Sequence, residues 1–376
     1  MAETLMGAPG TVEAGCIEGY YGRSLGWAER RRLIDILAEL GAGHYLLAPK
    51  QERLLRTRWR DPLPSDWSAA YAATAAQRQS VRLVPGLSPG LDIDYDDDAD
   101  MQCVCEKLSE CVGLGSPEVA LLLDDIAFVL PAASRFASLA EAQIHLIRKA
   151  LDRLSGLAGF ERLWVCPTVY ADTLVPLGEP GYLERFLKDL PEPVALMWSG
   201  RSVVAEDFKT LGAIEGCGRP VLLWDNYYAN DYCPQRLFLG PLRGRTPLPG
   251  SVSGHLLNLT GLPLTDAFLL GAFAADPDAA RTEALERAGV DEGIFAKLLP
   301  FFDGPFSRPE PPDDWQAVAD VALTLALEGD SPLVREWYPQ LLMLPRDLKL
   351  AAGEVDDEWI RRYYSALTAR LLSRID

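Results

Sequence analysis

The sequence predicts a (β/α)₈ barrel followed by a smaller α-helical C-terminal region. Three observations predict it. Short apolar runs of strand length recur through the first 275 residues. Segments of helical period lie between most of them, and the alternation stops after about residue 275. Eight strands alternating with helices suit a closed parallel barrel better than an open doubly wound sheet, because no glycine-rich phosphate loop follows the first strand.

The expected strands are 15–22, 44–50, 81–88, 119–126, 162–170, 194–200, 220–226 and 254–260. Their cores are continuous apolar runs, the pattern of strands buried on both faces. The first expected helix, 27–40, places Leu33, Ile34, Ile36, Leu37 and Leu40 on one broad face and stops at Gly41. The second, 65–79, is alanine-rich and opens with Ser65 or Asp66 as its cap. Segments 98–112, 138–157, 181–190, 204–211 and 265–274 complete the series. Beyond it, 275–299 reads as largely helical, 302–312 as a proline-rich connection, and 315–328, 333–342 and 357–374 as amphipathic helices. The domain reading is a catalytic barrel over 10–275 and a helical region over 276–376.

Composition narrows the function. The chain has 376 residues, is 48% hydrophobic and carries a net charge of −18. It is expected to repel nucleic acid and anionic membrane surfaces, and polyanionic substrates such as hyaluronan more weakly. No stretch has the length and apolarity of a membrane span, and Met1–Val12 lacks the basic and apolar regions of a secretory signal. Seven scattered cysteines, an odd number, suit a reduced, cytoplasmic setting. Cys103, Cys105 and Cys111 read as small core residues of one helix. The six aspartates between Asp92 and Asp100 read as a solvated loop and helix start. Arg53, Arg56, Arg58 and Arg60 read as a solvated, salt-bridged run.

The side chains that end barrel strands face the active site. At those ends stand Glu18-Gly-Tyr-Tyr-Gly22, Pro49-Lys50, Ser88-Pro-Gly-Leu-Asp92, Asp124-Asp125, Cys166-Pro-Thr-Val-Tyr170, Trp198-Ser-Gly200, Trp224-Asp-Asn226 with Asn230-Asp231, and Asn258. Aromatic rings mixed with hydrogen-bonding groups suit a sugar. Asp124 and Asp125 follow five apolar residues, so they emerge from a buried strand. Neighbouring anions repel, and at least one carboxyl is expected to titrate high, which makes a general acid usable near neutral pH. Retaining glycosidases of the usual kind place two carboxyls about 5–5.5 Å apart across the scissile bond. Sequence neighbours fit that poorly, which favours a nucleophile supplied by the substrate. A Mg²⁺ site completed by Asp231 or Asp92 is the rival reading.

Several segments together resemble the family 84 glycoside hydrolases, β-N-acetylglucosaminidases that include protein O-GlcNAcases and some hyaluronidases. These are Gly15-Cys-Ile-Glu-Gly-Tyr-Tyr-Gly22, Tyr45-Leu-Leu-Ala-Pro-Lys50, Leu87-Ser-Pro-Gly-Leu-Asp-Ile93, Leu121-Leu-Leu-Asp-Asp-Ile126, Cys166-Pro-Thr-Val-Tyr170, Trp224-Asp-Asn226, Ala229-Asn-Asp-Tyr232, Arg236-Leu-Phe-Leu-Gly-Pro241 and Gly254-His-Leu-Leu-Asn258. The resemblance covers roughly residues 13–275.

It implies retaining exo-hydrolysis of terminal β-linked N-acetylglucosamine, through an oxazoline formed by the substrate's own acetamide and with no cofactor or metal. It further implies that Asp124 orients the acetamide and Asp125 serves as acid and then base. Tyr170 would support the acetamide or its developing charge, Trp224 would help wall its pocket, and Asn226 would hydrogen-bond near the acetamide or the leaving-group oxygen. Asp231 would hold the 4- and 6-hydroxyls, and Gly19, Lys50 and Asn258 would contact other hydroxyls. The implied partner is a GlcNAc-bearing glycoprotein or glycan, with a homodimer as the candidate assembly. An endo-acting hyaluronidase and a non-catalytic sugar-binding barrel are the competing functions. Ile126-Ala-Phe-Val-Leu130 departs from the acidic loop of some relatives and bears on the aglycone side.

Overall fold

A computed structural model of the chain describes residues 12–364. Eight parallel strands close into a barrel in chain order. They are β1 (Glu13–Glu18), β2 (His44–Leu47), β3 (Arg82–Leu87), β4 (Glu118–Leu122), β5 (Arg162–Cys166), β6 (Val194–Trp198), β7 (Val221–Asp225) and β8 (Val252–Asn258). Closure is made by β8 on β1, with Gly254 beside Glu13 and Asn258 beside Ile17. Six helices belong with the barrel: α1 (Trp27–Glu39), α2 (Ser65–Ala75), α3 (Asp98–Gly113), α4 (Leu139–Ser155), α5 (Tyr182–Asp189) and α6 (Pro263–Leu269).

Alternation along the strands sorts the side chains. Ile17, Leu46, Ala48, Val84, Ala120, Leu122, Trp164, Cys166, Ala195, Met197, Leu222, Trp224 and Leu256 form one buried cluster. In each strand they share one phase, two residues apart, so they fill the barrel interior. Continued to and past the strand ends, that phase reaches Gly19, Lys50, Asp124, Asn226 and, as the last residue of β8, Asn258. The opposite phase carries Glu18, Tyr45, Asp225 and His255, which form separate polar clusters. Glu18 accepts from Arg30 at 2.8 and 3.0 Å, from the Tyr45 hydroxyl and from the Leu25 amide.

The helix expected over 204–211 is absent. Residues 201–211 are irregular and end in a short 3₁₀ turn, Gly212–Ile214. The carbonyls a helix would use are taken from outside the segment. Arg245 donates to the Ala205 and Glu206 carbonyls at 2.9 and 2.7 Å, and the Asn226 amide to the Val203 carbonyl at 2.7 Å. Phe208 and Leu211 are buried, so tertiary packing overrides helical period here. No described α-helix lies between β7 and β8 either.

The chain divides into two compact units. Of the described residues, the barrel unit takes those up to Tyr232 and then Pro241–Arg281; the other takes Cys233–Gly240 and those from Thr282. The division falls inside α7 (Pro277–Arg287). The second unit is built on α8 (Glu292–Phe302), α9 (Trp315–Glu328), α10 (Pro332–Ala351) and α11 (Asp357–Tyr363). Cys233–Gly240 belongs to it because Leu237 and Leu239 pack among Phe295, Leu298, Phe302, Trp337 and Leu341. The Leu239 and Gly240 amides also bond the Phe302 and Asp303 carbonyls at 2.6 and 2.8 Å.

Helix α10 contains Pro339 and outruns its expected end by continuing through Pro345. Its buried face of Trp337, Leu341, Leu344 and Leu348 offsets the lost backbone bonds. Residues 365–374 of the last expected helix lie outside the described residues.

Three smaller expectations need correction. Cys103 is only partly buried, unlike Cys105 and Cys111. Asp100 is buried rather than solvated, and with Asp92 it holds Arg60. Arg56 is buried too.

Candidate active site

A cavity of about 450 Å³ opens where the strands end. Gly19, Lys50, Asp124, Asp125, Tyr170, Trp224, Asn226, Asp231 and Asn258, the residues singled out from the sequence, all line it. Tyr21, Cys166, Val203, Val204, Ala229 and Tyr232 complete the lining. Cys166 belongs to the interior phase. Tyr21 and Tyr232 were legible only as members of their motifs. Val203 and Val204 come from the irregular segment, for which strand-end reasoning has no signal.

Asp124 continues the interior phase of Ala120 and Leu122 and is buried. By alternation its neighbour would turn away. It does not, because Asp125 adopts a left-handed backbone with φ of 54°, the sole such non-glycine residue among those described. Both carboxylates therefore reach Lys50. The buried ammonium donates to Asp124 Oδ2 and lies 3.3 Å from Asp125 Oδ2. It also sits 5.6 Å from the centre of the Trp224 ring. The other Asp124 oxygen, Oδ1, is buried without a hydrogen-bond partner. Asp125 accepts from the Tyr170 hydroxyl at 2.9 Å and the Tyr21 hydroxyl at 3.0 Å.

At Asp125 this arrangement works against the expected rise. Burial works to raise the Asp125 carboxyl, but Lys50 and the bonds from Tyr170 and Tyr21 hold it below its ordinary value. Repulsion between neighbours does not prevail there, because a cation stands between them. For Lys50, burial acts against the charged form, and the two carboxylates outweigh it. For Tyr170, burial and then Asp125 raise the phenol, which remains a donor.

The opposite wall is an amide chain. The Asn258 side chain accepts from the Gly19 amide at 3.0 Å and donates to Asn226 Oδ1 at 2.9 Å, which also accepts from Trp224 Nε1 at 2.9 Å. Trp224 thereby has a fixed orientation. Gly19 lies against that ring: a Cβ there would stand 2.4 Å from Trp224 Cζ2 and 2.7 Å from Ile17 Cγ2. Close approach is the reason for glycine at this position. Asp231 accepts from the backbone amides of Tyr21 at 2.7 Å and Tyr232 at 3.0 Å.

Between Trp224 and Asn226, Asp225 points outward. It accepts from Arg245 at 2.7 and 2.9 Å and lies 2.8 Å from His255 Nε2. Burial opposes its charge, but Arg245 and His255 hold the carboxyl far below its usual range.

The rival metal reading has little geometric basis. Among the described residues, no group of three or more His, Cys, Asp or Glu side chains is placed to hold an ion. Asp92 is engaged by Trp59 and Arg60 and does not line the cavity.

The family model for β-N-acetylglucosaminidase matches residues 14–269. The chain belongs to this family of glycoside hydrolases. Within the family it is 30% identical over 271 residues to protein O-GlcNAcase of Mus musculus, covering 68% of this chain and 29% of that protein. The Rattus norvegicus protein O-GlcNAcase is 30% identical over 255 residues, covering 65% and 27%. The chain thus spans less than a third of the length of these relatives. A mutant O-GlcNAc hydrolase of Thermobaculum terrenum has the same fold, with a TM-score of 0.76 at 21% identity over 96% of this chain and 88% of that one.

Proposed function

We propose that the chain is a retaining exo-β-N-acetylglucosaminidase that removes terminal β-linked N-acetylglucosamine by substrate-assisted catalysis. The observation that carries this reading is the Lys50-bridged pair. Two neighbouring carboxylates share one ammonium and so stand on one side of a sugar-sized cavity. That arrangement suits a division of labour rather than two groups flanking a bond. Asp124 Oδ1, buried and unpartnered, is an acceptor suited to the acetamide N–H. Its hydrogen bond polarises the acetamide, whose carbonyl oxygen attacks C1.

As that C–O bond forms, the glycosidic C1–O bond breaks and its electron pair passes to the leaving oxygen, which takes a proton from Asp125. Water then opens the oxazoline, with Asp125 accepting its proton, and configuration is retained. Trp224 walls the acetamide pocket. Asn226 and Tyr170 hydrogen-bond around it, and Gly19, Lys50, Asn258 and Asp231 engage hydroxyls. Asp231 suits hydroxyl capture because both its oxygens already accept backbone amides, which fixes their direction. The substrate class is a GlcNAc-bearing protein or glycan, supported by the names of the relatives. Seven free cysteines suit action in a reducing compartment.

The test is hydrolysis of aryl β-N-acetylglucosaminides, with the first-formed anomer read by NMR. The β-anomer should appear first. Asp124→Ala should slow every substrate about 10²–10⁴-fold, whereas Asp125→Ala should lose much less on an activated leaving group that needs no proton. Equal losses from both variants on both substrates, or first release of the α-anomer, would overturn the reading.

A further inference from the structure

Behind the cavity wall lies a second cation, Arg56, which does not line the pocket. It follows a 3₁₀ turn, Arg53–Leu55, that is capped by Glu52 and tied to the end of β3 by the Ser88 amide on the Leu55 carbonyl. Arg56 is 9% exposed. Its Nη1 donates to the Lys50 backbone carbonyl at 3.2 Å and its Nη2 to the Tyr21 hydroxyl at 3.0 Å. Its guanidinium carbon lies 5.2 Å from the centre of the Tyr21 ring. Among the described residues no carboxylate pairs with it, so its fork is committed to these two oxygens. Tyr21 passes the interaction on, donating its own proton to Asp125.

We propose that Arg56 is a positioning residue for proton transfer, acting on Asp125 through Tyr21. This rests on the acid–base role given to Asp125 above. When the proton leaves Asp125 for the glycosidic oxygen, negative charge develops on the carboxylate. A fixed O–H donor at that point stabilises the charge as it forms and needs no reorganisation. A phenol on a partly exposed tyrosine is not fixed by itself; Tyr21 is 46% exposed. Arg56 fixes it, and by accepting a hydrogen bond from the guanidinium the phenol oxygen becomes part of a stronger O–H donor. The same guanidinium holds the Lys50 backbone, so two of the groups that reach Asp125 are anchored by one side chain. A lysine at position 56 offers one ammonium without the planar fork.

The experiment compares two aryl β-N-acetylglucosaminides, one with a strongly activated leaving group and one with an unactivated phenol. Wild type, Arg56→Met, Arg56→Lys, Tyr21→Phe and the Arg56→Met/Tyr21→Phe double variant are measured on both. Binding of an N-acetylglucosamine-derived thiazoline reports the intact sugar pocket. Arg56→Met should lose about tenfold more kcat on the unactivated substrate than on the activated one, with KM and thiazoline affinity changed less than about twofold. Arg56→Lys should recover part of that loss. In the Tyr21→Phe background the Arg56→Met substitution should add much less than it costs alone.

Equal loss on both substrates, or full additivity in the double variant, would overturn the proposal while leaving the acid–base role of Asp125 intact. An inactive wild type would overturn both. Should Arg56→Met fail to fold, Tyr21→Phe, which removes a single oxygen, must show the same leaving-group dependence or the proposal fails.

Discussion

At Asp125 one backbone torsion does the work that alternation could not. A left-handed residue other than glycine costs about 1–2 kcal/mol, somewhat less for aspartate. It persists where the surroundings over-determine it. Here Tyr21, Tyr170 and Lys50 converge on the carboxylate from β1, β5 and β2. The same three groups set its titration. Because they hold the carboxyl down, removing one lets it rise. A higher value keeps the acid protonated to higher pH in the free enzyme. The alkaline limb of kcat/KM should therefore move to higher pH in Tyr170→Phe, whatever happens to kcat. A limb that stays in place or moves down would assign it to another group. The adjacency of Asp124 and Asp125 was visible in the sequence. The sign of the shift was not, because the cation that lowers it, Lys50, follows β2, two strands earlier in the chain.

At the scale of elements, the irregular segment after β6 is held by a buried ion pair rather than by a helix. Arg245 is 1% exposed and bridges Asp225 to the Ala205, Glu206 and Arg243 carbonyls. Its anchor, Asp225, lies between Trp224 and Asn226, so the outward face of β7 supports the inward one. Removing one partner of such a pair leaves a buried charge uncompensated, at about 3–5 kcal/mol. Arg245→Met should lose stability of that order in urea denaturation. It should also lower amide-exchange protection in 203–211 relative to the strands. A loss below about 1 kcal/mol would mean that the apolar packing of Phe208 and Leu211 holds the segment unaided.

The expected helix at 204–211 failed for the same reason. Helical period records which side chains are buried, and here burial is real but the backbone partners are remote. The interior-phase site residues were legible because they continue a period-two pattern that begins in the apolar core.

For the whole barrel, the opposite ends of the strands form a charged base. Glu118 at the start of β4 meets His44, Arg82, Arg162 and Trp164, from β2, β3 and β5. Burial raises its carboxyl, but His44 and Arg162 overcome this and bring it from an ordinary 4.5 to about 2. A depressed carboxyl contributes stability that is complete above pH 4.5 and disappears as pH falls toward 2. The contribution is on the order of 3 kcal/mol. Urea midpoints should be nearly flat above that range and fall steeply within it, and Glu118→Gln should flatten the fall. An unchanged slope in the variant would move the acid sensitivity elsewhere.

By itself the sequence determined the barrel, its eight strands and the inventory of side chains at their ends. These are consequences of local pattern: apolar runs make buried strands, and two-residue periodicity carries Gly19, Lys50, Asp124, Asn226 and Asn258 to one mouth. Tertiary structure decided what that pattern cannot encode. It turned Asp125 back toward Lys50, placed Arg56 behind Tyr21, drew 201–211 into the irregular path that Arg245 dictates, and assigned Cys233–Gly240 to the helical unit. Each depends on contacts between residues far apart in the chain, whose energies appear only once the chain has folded.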